Sequence, residues 1–108
     1  MTDQLGSLEQ LVLLALLQLG DGAYGVAVQQ EIATRTARDI SFGAIYTTLG
    51  RLEQKGYVGT RLGDPTPERG GRRKKHYTLR APGKRALQGS LNDLRTMTRG
   101  LGAALDLR

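Results

Sequence analysis

A serine, a two-faced helical pattern and a glycine form the first chemically informative feature of this sequence. Ser41 precedes FGAIYTTLGRLEQK, and Gly56 follows it. Serine side chains cap helix N-termini and glycine suits the position after the last turn, so the pattern predicts a helix over residues 42–55. One face of this helix carries only small or hydrogen-bonding side chains: Gly43, Ala44, Thr47, Gly50, Arg51 and Gln54.

This face has the shape that the major groove of B-DNA admits, because no bulky side chain blocks the approach. Ala44 and Thr47 can contact thymine methyl groups, while Thr47, Arg51 and Gln54 can hydrogen-bond to base edges or phosphates. An ordinary amphipathic helix with a solvated face is the alternative for this segment taken alone. The opposite, apolar arc is expected to pack inward and consists of Phe42, Ile45, Leu49 and Leu52.

The chain after this helix is strongly basic. Residues 61–80 carry a net charge of +5 out of +6 for the whole chain, which favours a polyanionic partner, nucleic acid before membrane. Four consecutive residues are placed for phosphate contacts, which supply affinity and salt dependence: Arg72, Arg73, Lys74 and Lys75. A solvated edge strand protected by lysines is the alternative, but it would not explain a basic arm directly after this helix.

The predicted DNA-contacting residues are Ser41, Ala44, Tyr46, Thr47, Arg51, Gln54, Arg72, Arg73, Lys74 and Lys75. Tyr46 is expected at the edge between the helix and the arm, with its hydroxyl near phosphate. Glu53, on the flank of the helix, is expected to form a structural ion pair. His76 is expected to be exposed or to face phosphate.

The remaining elements must hold this helix and arm in place. A capping-box pattern at Ser7 and Gln10 predicts the start of a first helix. Hydrophobic spacing and turn residues predict two helices before the central one and two strands after it: residues 8–19 and 24–34, then 57–62 and 73–79.

The first and last helices have more apolar surface than one small domain covers. The first is apolar on nearly every side. The last begins near Pro82, has a heptad seam, and is expected to fray after about Arg99. A partner subunit is the simplest cover for both surfaces. The predicted dimerisation residues are Leu8, Val12, Leu87, Leu91, Leu94, Met97 and Leu101.

Composition argues against several other classes of protein. The chain has no cysteine and one histidine, so no metal-ligand set or nucleophile with its base is available, and neither an enzyme nor a cofactor is expected. The apolar run over residues 8–19 is shorter than the about 20 residues that span a bilayer. Its acidic flank does not suit a signal peptide. A cytoplasmic protein, with no membrane partner, is therefore expected.

Several spaced residues form a specific pattern: Tyr24, Gly25, Gly43, Ile45, Tyr46, Leu49, Arg51, Leu52, Glu53, Gly56, Val58, Tyr77, Leu79, Gly83 and Leu87. The pattern resembles that of the PadR-type winged-helix regulators over about residues 8–94. The resemblance implies a mainly α fold with a small β-hairpin. It divides into a winged helix-turn-helix DNA-binding domain over residues 1–80 and a C-terminal dimerisation helix over residues 81–108.

These observations together predict a sequence-specific regulator of transcription. The expected protein is a repressor that binds double-stranded DNA as a homodimer on a pseudo-palindromic operator. A winged-helix module that binds a protein partner or a structured RNA is the alternative. A small-molecule effector is not specified by the sequence, and the absence of tryptophan argues against a stacked aromatic ligand.

Overall fold

The computed structural model describes residues 4–20, 22–65 and 73–107. The elements follow in the order α1 (Ser7–Leu19), β1 (Ala23–Tyr24), α2 (Gly25–Thr36), α3 (Phe42–Gln54), β2 (Val58–Pro65), β3 (Arg73–Leu79), α4 (Ala81–Thr98) and α5 (Gly102–Leu105). The predicted mainly α fold with a small hairpin is confirmed. Within the described ranges, no helix has the length and apolar character needed to cross a membrane.

Helix α1 begins one residue before the predicted position. Gly6 is the N-cap, and its N–H donates a hydrogen bond to Glu9 Oε1 at 2.8 Å. The predicted Ser7–Gln10 capping box is therefore wrong. A carboxylate suits the first turn because the positive end of the helix dipole attracts it. Gln10 Nε2 instead donates weakly to the Leu5 carbonyl at 3.4 Å.

The core forms around α1, which packs against α2, α3, β3 and α4. A helix with neighbours on several sides needs apolar residues on several faces, which explains why the first helix lacks a polar face. The buried apolar residues include Val12, Leu13, Ala15 and Leu16 of α1, Val28 and Ile32 of α2, Ile45, Leu49 and Leu52 of α3, Tyr77 of β3 and Leu87 of α4.

The turn between α2 and α3 is held by local hydrogen bonds. Ala37 ends α2 in the left-handed conformation, at φ 57°. Gln29 Nε2 on α2 donates to the Ile40 carbonyl at 2.8 Å. This bond ties the end of the turn to α2 and so fixes the place from which Ser41 starts α3.

The sheet has three antiparallel strands in the order β1-β3-β2. Ala23 pairs with Tyr77 and Tyr24 with His76. Strand β1 was not predicted, because two residues carry no measurable alternation of polarity. It connects the β2–β3 hairpin, here called the wing, to the beginning of α2.

Helix α4 belongs to the core at its beginning and is exposed at its end. Leu87 is only 2% exposed, whereas Leu94 and Met97 are 50% and 74% exposed. The helix ends at Thr98, close to the predicted end. Beyond it, Gly100 turns the chain at φ 83° and the short helix α5 follows, while the expected fraying after Arg99 stays a prediction.

The first turn of α4 lies unusually close to the chain that leaves α3. The Arg80 N–H donates to the Tyr57 carbonyl at 2.9 Å. A Cβ atom on Gly83 would lie 2.3 Å from that carbonyl oxygen and 3.0 Å from Leu79 Cδ1. Glycine at position 83 is therefore required for α4 to pack here.

Tyr77 is the largest side chain buried in the core. Burial raises the pKa of its phenol from the ordinary 10.0 to about 12, and the negative charges that Tyr46 and Glu53 carry when ionised contribute further. The cause is that a phenolate loses its hydration in the interior.

Replacing Gly83 with Ala should lower the free energy of unfolding by about 1–3 kcal/mol, because the methyl group overpacks against backbone that cannot move freely. Gly89→Ala on the same helix is the matched control. A Cβ at position 89 meets nothing within 4 Å, so this change should stabilise by up to about 1 kcal/mol. Urea unfolding followed by circular dichroism measures both, and equal effects would contradict the close approach.

Stability should fall as the pH rises above about 10, because the unfolded chain then releases the Tyr77 proton while the folded chain retains it until about pH 12. Between pH 9 and 11 this contribution amounts to about 1 kcal/mol. Urea unfolding at both pH values should show a smaller loss for Tyr77→Phe than for the wild type.

Candidate nucleic-acid interface

The N-terminus of α3 is capped as predicted. Ser41 Oγ accepts a hydrogen bond from the Ala44 N–H at 3.1 Å. Such a cap satisfies one of the N–H groups that the first turn of a helix leaves unpaired. The Ser41 hydroxyl is thus occupied in holding α3 in place.

The outer face of α3 is open along its length. Thr47, Arg51 and Gln54 are exposed and Ala44 is half-buried. A Cβ atom added at Gly43 or Gly50 would meet nothing within 4 Å. The predicted outward orientation of this face is confirmed. That its side chains contact DNA stays a prediction.

The inner face of α3 differs from the prediction at one residue. Ile45, Leu49 and Leu52 are fully buried, as expected. Phe42, expected to pack inward, is 37% exposed, which corrects its assignment to the core. The Phe42 ring lies beside Gly25 at the margin of the domain. Phe42 is the first residue of α3, so the core does not extend past it.

Tyr46 lies on the flank of α3 and is 43% exposed. Its ring packs edge-on against Phe42, with ring centroids 4.6 Å apart. Its phenol is also near enough to Tyr77 to influence the pKa of that residue. Tyr46 therefore stands between the beginning of α3 and the base of the wing, which leaves the phosphate contact of its hydroxyl a prediction.

Glu53 joins α3 to both strands of the wing. Its Oε2 accepts a hydrogen bond from Thr60 Oγ1 at 3.0 Å, and its Oε1 lies 3.6 Å from Lys75 Nζ. The structural ion pair predicted for Glu53 is confirmed. Lys75 was predicted only as a phosphate contact, so its pairing with a carboxylate was missed. Thr60 was also missed, because its partner lies on another element.

The basic run of the wing is only partly described. Arg72 lies outside the described residues. Arg73 begins β3 and pairs with Pro65 of β2, and Lys74 follows it in the strand. Their predicted phosphate contacts are therefore untested, and Lys75 is the member of the run whose side-chain surroundings are known.

His76 has a structural place rather than the exposed or phosphate-facing one predicted. Its Nδ1 lies 2.6 Å from the Gly22 carbonyl oxygen. Its ring centroid is 4.3 Å from that of Tyr24. The short strand β1 and the Gly22 before it bring both partners to the imidazole, and no local pattern predicts so short a strand.

The predicted dimerisation residues fall into two groups. Val12 and Leu87 are 0% and 2% exposed within a single chain, so their assignment to a subunit interface is wrong. They contribute to the protomer's own core because α1 and α4 pack together. Leu8 and Leu91 are partly buried against that core. The remaining three are exposed: Leu94, Met97 and Leu101.

No group of three or more potential metal ligands occurs in the described part of the chain. The outer face of α3 and the wing instead offer exposed hydrogen-bond donors beside a basic strand. Such an arrangement suits recognition of a polyanion.

Three packed helices, with a turn between the second and third and a wing after the third, define a winged helix-turn-helix domain. The family model described as "Transcriptional regulator PadR-like family" matches residues 13–89. The match spans more than half of the chain. The protein belongs to the PadR-like family of transcriptional regulators, and it is a regulator rather than an enzyme.

Solved structures of PadR-family proteins share this fold. A regulator from Clostridium difficile R20291 has a TM-score of 0.74 and 23% identity, over 93% of this chain and 99% of that one. One from Eggerthella lenta has a TM-score of 0.68 and 26% identity, over 92% and 84%. Bacillus subtilis PadR in complex with operator DNA has a TM-score of 0.68 and 23% identity, over 80% and 47%. A search of curated proteins finds no significant match.

Proposed function

We propose that this PadR-family regulator binds double-stranded DNA as a homodimer and represses transcription from a pseudo-palindromic operator. The observation that carries the proposal is the open outer face of α3, which is free of bulky side chains and lies beside the basic wing. The structural likeness to Bacillus subtilis PadR, which was solved with operator DNA, supports it. A protein that acts on genomic DNA in this way works in the cytoplasm.

The proposal assigns separate tasks to α3 and the wing. Ala44 and Thr47 contact thymine methyl groups, while Arg51 and Gln54 hydrogen-bond to base edges or phosphates. The wing residues Arg72, Arg73, Lys74 and Lys75 contact phosphates, which gives grip without sequence preference. Ser41, at the N-terminus of α3, and Tyr46, on its flank, contact the sugar-phosphate backbone of the duplex.

The second half of α4 supports the homodimer. Leu94 and Met97 are exposed and lie three residues apart on this helix, which places them on one side of it, and Leu101, just before α5, is exposed as well. A seam of this kind needs a partner to remove it from water. We therefore assign DNA binding to residues 1–80 and dimerisation to residues 81–108, and the start of α4 also completes the core.

Titration of the protein with its own promoter DNA and with random duplex, by fluorescence anisotropy at several salt concentrations, tests the proposal. Promoter DNA should bind at least about a thousandfold more tightly, as specific regulators generally do. Equal affinity for both duplexes would refute it and would favour a winged-helix module for a protein partner or a structured RNA.

Changing Arg72, Arg73, Lys74 and Lys75 to Gln should weaken binding to every duplex. The slope of log affinity against log salt should become shallower by up to about 0.9 per lost phosphate contact in each subunit. Changing three cations of α4 and the one at its C-cap to Gln is the charge-matched control and should alter the slope less: Lys84, Arg85, Arg95 and Arg99. An equal change of slope in both variants would show that the wing does not touch the backbone.

Changing Leu94 and Met97 to Glu should convert the dimer to a monomer, because buried unpaired carboxylates oppose association. Leu91 is kept because it packs against the core of its own chain. The exposed positions Asn92 and Thr96 on the same helix, changed to Glu, form the control and should leave a dimer. Sedimentation velocity gives the masses. A stable dimer of the variant changed at Leu94 and Met97 would place the interface elsewhere.

A further inference from the structure

The carboxylate of Glu53 lies where α3 meets the wing, and it contacts the wing at two points. It accepts a hydrogen bond from Thr60 on β2 and lies near the Lys75 ammonium on β3. Among the residues that the structure describes, Glu53 is the acidic residue of α3 with contacts to both strands of the wing. Glu53 thus connects α3, which is proposed to recognise the DNA sequence, to the wing, which is proposed to bind phosphates.

The register of the hairpin explains how one carboxylate reaches both strands. Thr60 lies opposite Tyr77, and Leu62 lies opposite Lys75. Successive residues of a strand point to opposite sides, so Thr60 and Lys75 are diagonal neighbours on one face. Tyr77, on that face, is buried in the core, and Lys75 Nζ lies 5.9 Å from its ring centroid. This face therefore looks toward α3.

The Glu53 contacts are poorly suited to a role in stability. The side chains of Glu53 and Lys75 are 39% and 42% exposed, and exposed ion pairs contribute little to folding. Their separation of 3.6 Å is too long for a hydrogen bond. A negative charge beside a phosphate-binding arm also weakens DNA binding.

We propose that Glu53 is a positioning residue that fixes the wing relative to α3 and thereby raises discrimination between operator and random DNA. At the base of the wing, Val58 is buried and β3 pairs with β1. Farther out along the wing, Leu62 is exposed. Glu53 holds the wing on the side of α3, through Thr60 first and Lys75 farther out. When the wing is fixed relative to α3, it contacts the phosphates only if α3 is also aligned with the bases that it reads. The inference rests on the proposed function.

A series of variants separates this role from a simple charge effect. Glu53→Met removes both contacts, Glu53→Gln keeps an acceptor for Thr60 but loses the charge, and Thr60→Val loses the hydrogen bond without a change of charge. Glu31→Gln is the charge-matched control, because Glu31 lies on α2 and pairs with Arg35.

Anisotropy titrations should then show that the variants affect operator and random DNA differently. Affinity for random duplex should stay level or rise in Glu53→Met, because a negative charge has been removed near phosphate. The ratio of operator to random affinity should fall about three- to tenfold, comparable to one mismatched base pair. Thr60→Val should lower the ratio as well, Glu53→Gln should restore part of it, and Glu31→Gln should leave it unchanged.

Hydrogen exchange without DNA tests the same contact independently of any operator. Wing amides near Thr60 and Lys75 should exchange faster in Glu53→Met, while those of the α1 core should not change. A wild type without operator preference would refute the proposed function but not the link between α3 and the wing. An unchanged affinity ratio in both Glu53→Met and Thr60→Val, or unchanged exchange of the wing, would overturn this inference.

Discussion

The burial of α1 is the constraint on which the rest of the structure depends. Val12, Leu13 and Leu16 are almost completely removed from water, and α2, α3, α4 and β3 all pack against the helix that carries them. Each neighbour must therefore turn its apolar side to the same centre. For α3, the consequence is that Ile45, Leu49 and Leu52 face inward, which leaves the small polar face turned to solvent along the whole helix.

The orientation of the wing depends on the same centre, but through fewer contacts. Tyr77 anchors β3 in the core, and β1 pairs with β3 at that level. Farther along the wing Leu62 is exposed, and the Glu53 carboxylate contacts Thr60 and Lys75 there. Burial in the core thus ends near the base of the wing, and a weak exposed interaction can influence geometry at that point.

Helix α4 divides between two roles along its length. Its beginning is part of the protomer, since Gly83 lies against the Tyr57 carbonyl and Leu87 is buried. Its end carries exposed apolar side chains at Leu94 and Met97. This continuity matters for the proposed dimer: a single helix connects the core that orients α3 to the seam that would set the distance between two copies of α3.

The sequence by itself determined the four long helices, the β2–β3 hairpin and the outer face of α3, because helix periodicity, the Ser41 cap and the Gly56 stop are local properties of the chain. It also indicated the basic wing and the PadR-like fold. Only the tertiary structure decided which apolar residues lie in the core and which lie on the surface. Val12 and Met97 are both apolar, but Val12 is buried and Met97 is exposed because their neighbours differ. The same holds for His76 beside Gly22 and for Glu53 beside Thr60 and Lys75, since such pairs form between elements whose approach no local pattern specifies.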